Sequence, residues 1–240
     1  MNYDIIIVGA GPCGIFTALE LKKLNPKKKI LILEKGNSIR KRICPKRKTG
    51  LCINCKPCNI TTGFAGAGAY SDGKLSLSPD VGGNLPIYIG YEETKILIDY
   101  VDEIYLNFGA DKKIYGIDKE EEIREIRKKA IISNLKLVEC PIRHMGTEEG
   151  YEIYSKIEEH LKNIGVNLSY RNPVKDIILD ENRNIKGVLA DKEYFSDKVV
   201  ISAGREGSDW LRNICIKHGI DTETGDVDIG VRVETRNEIM

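Results

Sequence analysis

Gly9, Gly11 and Gly14, read together with Glu34, are the residues whose types and spacing most directly imply chemistry. The glycines fit G-x-G-x-x-G. The first permits a tight turn at a strand end. The second has no Cβ, so a pyrophosphate can approach the main chain. The third lets a helix pack closely on the strand. The helix that follows offers free N–H groups and partial positive charge to phosphates. Glu34 stands where a carboxylate can accept hydrogen bonds from an adenosine ribose, with Lys35 beside it. These residues predict a dinucleotide site.

Cys44, Cys52, Cys55 and Cys58 form a second constellation, C-x7-C-x2-C-x2-C. Thiolates at x2 spacing can converge on one metal or cluster. The spacing leaves four readings open: an iron–sulfur cluster, tetrahedral zinc, a dithiol exchanging electrons with a flavin, or free cysteines in a loop. Just before them, 40–48 is rich in Arg and Lys. Most of that run reads as solvated surface, with Arg42 best placed to reach a cofactor. Gly63 to Lys74 is dense in small residues, which let a main chain lie against a flat ring or a phosphate. Arg143 and His144, just ahead of a helix N-terminus, form an anion- or substrate-binding pair.

Positioning these residues requires a strand–glycine turn–helix–strand unit. Asp4 to Val8 is a short apolar run, Ile15 to Leu24 has helical spacing, and Ile30 to Leu33 is a second apolar run ending at Glu34. Residues 36–90 read as one long irregular segment, which is functional or metal-organised when found inside a compact domain. Helices are predicted over Glu92 to Phe108, with Ile96, Leu97, Tyr100, Val101, Ile104 and Phe108 inward, over Lys119 to Ile132, and over Glu148 to Asn163 behind a Thr147 cap. Strands are predicted at Leu135 to Cys140, Val166 to Tyr170, Val174 to Leu179, Ile185 to Leu189 and Lys198 to Ile201. The last runs into Ser202-Ala203-Gly204 and a helix over Gly207 to His218, and Val227 to Glu234 begins another strand.

The 240 residues are enough for one large or two small domains with a real core. A net charge of +1 argues against a large nucleic-acid footprint. No apolar run approaches the roughly 20 residues of a membrane helix. Seven cysteines without an export signal predict a reducing, cytoplasmic location.

Taken together, the chain resembles the glutathione-reductase-like flavoproteins with two dinucleotide-binding domains. Closer still, it is similar to a group of little-characterised FAD-dependent dehydrogenases. The motifs are C-I-N-C-K-P-C (52–58), G-A-G-A-Y-S-D-G-K-L (66–75), R-H-M-G-T (143–147), S-A-G-R-E-G (202–207) and D-I-G-V-R-V-E (228–234). The resemblance implies a Rossmann-like α/β FAD-binding domain with a parallel sheet, a β-meander and inserted helices. FAD binding would fall to 1–90 and 165–220, the helical insert to 91–164, and the start of a substrate domain to 221–240. Gly9, Gly11 and Gly14 would line the pyrophosphate, and Glu34 the ribose. Val174 would meet the adenine through its main chain. Gly66, Gly68, Ser71 and Gly73 would lie near the flavin, and Gly204 would close the groove. Lys74, Arg143 and His144 would stand near the reacting ring. The implied activity is an FAD-dependent oxidoreductase acting on a small molecule or electron carrier, with NAD(P)H as an electron donor. A tRNA-modifying flavoprotein and a fragment that only holds FAD are the alternatives. Such proteins run longer than 240 residues and usually carry Thr where Ser202 stands, so the chain reads as an N-terminal portion.

Overall fold

Ile5–Val8 (β1) and Ile30–Leu33 (β2) are four-residue runs in which every side chain is buried, the pattern of strands covered on both faces. Between them lies Pro12–Leu24 (α1). The computed structural model describes residues 2–70, 73–225, 229–231, 234 and 236. The strand expected over 227–234 lies largely outside them. The chain continues through Lys46–Thr49 (α2), Lys74–Ser76 (β3), Leu85–Ile89 (α3), Tyr91–Asn107 (α4), Ile114–Tyr115 (β4) and Glu120–Ile132 (α5). Then come Ile142–His144 (β5), Thr147–Asn163 (α6), Val166–Ser169 (β6), Asp176–Leu179 (β7), Ile185–Leu189 (β8), Glu193–Phe195 (β9), Val199–Ile201 (β10) and Ser208–His218 (α7).

A parallel sheet in the order β10-β1-β2-β6 is the centre of the molecule. Alternation along its strands separates two cores. Ile5, Ile7, Ile30 and Ile32 pack with Ile15 and Ala18 of α1 and with Ile153, Ile157 and Leu161 of α6. Ile6, Val8, Leu31 and Leu33 pack with Val174, Val188, Ala190 and Tyr194 on the other side. A slip of one residue would exchange the faces, so the register is strongly held. The antiparallel meander β7-β8-β9 covers the second face. A small antiparallel sheet, β3-β5-β4, carries the segment between β2 and α6.

Helices α1, α4, α5, α6 and α7 and most strands stand where periodicity places them, whereas α2, β3 and α3 fall within 36–90, where an irregular segment was expected. The strand expected at Leu135 to Cys140 is instead β5, a few residues later, because Ile142–His144 has two partners to pair with. Gly146 rather than Thr147 takes the cap position of α6. Helix α4 turns Tyr105 inward, while Ile96 and Leu97 stay 58% and 46% exposed. Helix α5 buries no residue. Among the described residues no helix is long and apolar enough to cross a membrane.

Helix α7 is fastened to the meander through Asp176, which accepts from Lys217 and His218. Burial pushes the Asp176 carboxyl up, but the hydrogen bonds from Lys217, His218 and the Ile177 N–H outweigh it and hold the group below its ordinary value. A carboxylate with a depressed folded pKa stabilises the protein above its unfolded pKa and loses that contribution as pH falls through the folded value. Asp176→Asn is therefore expected to cost about 1 kcal/mol at neutral pH. The gap from wild type should shrink below about pH 4. Urea unfolding at pH 7 and pH 3 checks this, and a gap of equal size at both would contradict it.

Candidate functional site

The carboxyl ends of β1, β2 and β10 lie side by side where the chain leaves β1 for β2 on one side and receives β10 on the other, the place where parallel α/β sheets carry their ligand crevice. Gly9 leaves β1 at φ +101°, and a Cβ there would stand 2.5 Å from the Ser202 carbonyl oxygen. At Gly14 a Cβ would stand 2.1 Å from the Gly9 carbonyl oxygen and 2.8 Å from Ser202 Oγ. These two glycines are needed by the protein itself. Gly11 differs: a Cβ there would meet nothing within 4 Å. The same is true of Gly204, which turns at φ +60° after β10. The two open glycines come from loops at the ends of neighbouring strands.

Helix α1 begins at Gly11 with Pro12 in its first turn, no side chain caps it, and no acid lies in that turn. Pro12 has no N–H to satisfy, and the next donors have no intrahelical acceptor. A 13-residue helix therefore presents an uncapped positive end beside the open glycine. Ser202 Oγ donates toward the carbonyls of Val8 and Gly9, at 2.9 and 3.1 Å, which ties the last strand to the first turn.

Glu34 is 5% exposed. Its carboxylate accepts from the Ala10 N–H at 2.8 Å and the Gly36 N–H at 2.7 Å, bridging the glycine turn to the segment after β2. Each oxygen keeps further acceptor capacity. Its main chain is held by Ser169 and Asn172, and the Asn172 amide in turn meets Ser169, Asp191 and Tyr194. The acid is thus fixed in place from two sides.

The remaining predicted residues fall into distinct places. Lys35 donates to the Glu206 carbonyl at 2.7 Å, and Thr61 donates to the Glu206 carboxylate at 2.9 Å. Glu206 so draws the turn after β10, the end of β2 and the cysteine segment together, a role that its place in the S-A-G-R-E-G motif does not disclose. Gly66 stands against Gly11 and Pro12, and Gly68 against Tyr154. Gly73 is backed instead by the main chain of Gly146, 2.7 Å from where a Cβ would be. Val174 is buried in the core beneath the meander. Ser71 lies outside the described residues.

Arg42 is 2% exposed and donates to the carbonyls of Asn59, Ile60, Phe64 and Gly66, at 2.6–2.9 Å. Four of its five N–H groups are thereby committed to the loop. It braces the segment from within, where a surface role or a direct reach to the cofactor was expected. Arg143 also departs from expectation. It is 2% exposed, pairs with both oxygens of Asp102 on α4 and donates to the Asp111 carbonyl. It anchors the helical insert and has no free face for a substrate. Lys74 and His144 are register partners across β3 and β5, both exposed, with the His144 ring edge-on to Tyr115.

Cys44, Cys52, Cys55 and Cys58 line one pocket of about 260 Å³, and all four are free thiols. The N–H groups of Ile60 and Thr61 hold the Cys58 thiol below its ordinary value. Among the described residues no group of three or more His, Cys, Asp or Glu side chains is assembled to hold a metal ion. The expected iron–sulfur or zinc site is therefore not preformed. Spacing along a loop lets thiols meet but does not bring them together.

No family model matches the chain. It is 31% identical to L-2-hydroxyglutarate dehydrogenase, mitochondrial, of Dictyostelium discoideum over 143 residues, 57% of the chain and 27% of that protein. An uncharacterized protein of Clostridium beijerinckii is 23% identical over 237 residues, 98% of the chain and 37% of that protein. The chain thus spans about a third of the length of the curated relatives it matches. Among solved structures, L-amino acid deaminase from Proteus vulgaris aligns with 92% of the chain and 50% of its own, at TM-score 0.52 and 14% identity. Glycine oxidase from Bacillus cereus aligns with 88% of the chain and 58% of its own, at TM-score 0.50 and 16% identity. At these identities the likeness is one of fold: a mixed α/β, Rossmann-like fold.

Proposed function

We propose that the chain is the FAD-binding part of an oxidoreductase. The observation that carries this is the crevice at the carboxyl ends of β1 and β10, where an uncapped helix N-terminus and two glycines with open space face one opening. The residues fit the group. Gly11 and Gly204 leave room for a diphosphate to approach the main chain, and the α1 N-terminus supplies donors and positive charge. The buried Glu34 retains acceptor capacity for ribose hydroxyls. Gly66, held against Gly11, would form the wall along which the rest of the cofactor runs. FAD, when bound, supplies the hydride and electron chemistry, and the protein binds, orients and tunes it.

The chain's own contributions are positional. Arg42 fixes the loop that carries Gly66, Asn172 fixes the strand end that carries Glu34, and Ser202 fixes the first turn. Arg143 holds the insert, so of the three side chains expected near the reacting ring, Lys74 and His144 remain as the exposed pair able to exchange a proton with a ligand. The dehydrogenase relative and the oxidase neighbour are consistent with redox chemistry on a small molecule.

The test is the visible spectrum of protein purified without oxygen. Absorption near the flavin bands, with FAD released on heating in a one-to-one ratio to protein, is the expected result. Colourless protein that takes up no FAD on titration would overturn the reading.

A further inference from the structure

A groove of about 700 Å³ lies between the basic segment after β2 and the first turns of α6, within the size range of small-molecule sites. One wall carries Arg47 and Lys48. The other carries Glu148, Glu149 and Glu152, with Lys156 a turn further on. Among the described residues, none of these charged groups is in an ion pair or a side-chain hydrogen bond across the groove. Opposite charges therefore line the same groove without pairing with one another.

Its floor has a marked electrostatic character. Tyr70 lies there with the Arg42 guanidinium 4.8 Å and the Arg47 guanidinium 4.9 Å from its ring centroid. The Tyr70 hydroxyl donates to the Arg42 carbonyl, which pins the ring. Arg42 is a nearly fully buried cation whose hydrogen-bond partners are all carbonyls, and among the described residues no carboxylate lies within ion-pair range of it. Glu34 is the carboxylate near enough to act on it electrostatically, and the burial of the guanidinium favours a further anion in its vicinity. Beside it, the Tyr70 ring offers an apolar surface. Tyr70 ends the short 3-10 helix Gly66–Tyr70, whose first residue stands against Gly11, so one short helix links the groove floor to the glycine turn.

We propose that this groove is a binding site for a zwitterionic ligand of the amino-acid or short-peptide class, with its carboxylate toward Arg47 and Lys48 and its ammonium toward Glu148, Glu149 and Glu152. The ordering follows from charge. The basic wall and the buried guanidinium lie at one side, and the three carboxylates lie at the N-terminal end of α6. The aromatic floor between them suits a ligand with an apolar or aromatic middle. The site is defined by the chain alone and stands whether or not the crevice holds FAD.

The experiment is calorimetric titration of the whole chain with Ala-Phe-Ala bearing free termini, in low salt. The same peptide N-acetylated, the same peptide C-amidated, and succinate serve as comparisons. Variants Arg47→Gln/Lys48→Gln and Glu148→Gln/Glu149→Gln/Glu152→Gln change exposed residues only, and their unfolding midpoints establish that they fold. The free tripeptide is expected to bind at least ten-fold more tightly than either blocked form and than succinate. The basic-wall variant should lose that advantage over the C-amidated form, and the acidic-wall variant over the N-acetylated form. Equal affinity of free and blocked peptides, succinate binding as tightly as the tripeptide, no heat of binding, or wall variants that bind as the wild type does would each overturn the proposal.

Discussion

Replacing Gly11 by Ala should leave the protein as stable as wild type while lowering its flavin occupancy at least ten-fold, and replacing Gly14 by Ala should do the reverse in order of cause. At Gly11 the main chain is extended and ordinary, with φ −73°, and a methyl group would project into open space. Unfolding free energy is expected within about 0.5 kcal/mol of wild type. The methyl group would nevertheless occupy the place a diphosphate needs. At Gly14 the added carbon would stand 2.1 Å from the Gly9 carbonyl oxygen, a main-chain atom that cannot step aside alone. The cost is overpacking between α1 and β1, about 3 kcal/mol, and flavin is lost because the crevice itself is distorted. Chemical denaturation and the flavin-to-protein absorbance ratio, measured on both variants, separate the two. A Gly11→Ala protein with full flavin content would mean that the crevice is not where the cofactor lies.

The second large effect is expected at Arg42. Arg42→Met keeps much of the apolar stem but abandons the carbonyls of Asn59, Ile60, Phe64 and Gly66. Some of these will find water and some will not, for a net loss of about 3 kcal/mol. Arg42→Lys should recover little, because an ammonium cannot span four acceptors as a planar fork does. The loss should be local as well as global. The Asn59 amide bridges to Asn37 and to the Ile43 carbonyl, and Arg42 itself receives the Tyr70 hydroxyl on its carbonyl. Limited proteolysis is expected to cut the variant first within 43–62. A variant as resistant and as stable as wild type would contradict the bracing role.

Much of the fold was legible because it rests on periodic burial. β1, α1 and β2 announce themselves through two short apolar runs and a glycine signature, and the first two strands of the meander through apolar runs separated by a polar turn, whereas β9 was not legible. The small sheet was not legible. β3, β4 and β5 are two or three residues long, too short for a period to show, and they exist because they find one another. The exposed apolar side of α5 shows the opposite failure: its spacing describes a face, and a face does not by itself recruit a cover. In the site, the glycines could be read because each has a steric reason that depends on its neighbours in sequence. Arg42 and Arg143 could not. A guanidinium inside a basic run, or before a helix, looks the same whether it faces solvent or holds four carbonyls, and only distant partners decide. Glu206 is hidden for the same reason, since Lys35 and Thr61 are far from it along the chain.

The pairing of β1 with β10 sets an order of events in the birth of the molecule. Ile6, Ile7 and Val8 lie beside Val199, Val200 and Ile201, and the Ser202 hydroxyl then clasps the first turn. A nascent chain that has released its glycine signature but not yet this late strand has a turn with one wall missing. Contacts of such separation form slowly, because a long loop must close before they reward it. On the proposed reading, FAD would load late, only after synthesis has passed residue 202, so that the earliest part of the chain to be made would be the last to acquire its ligand.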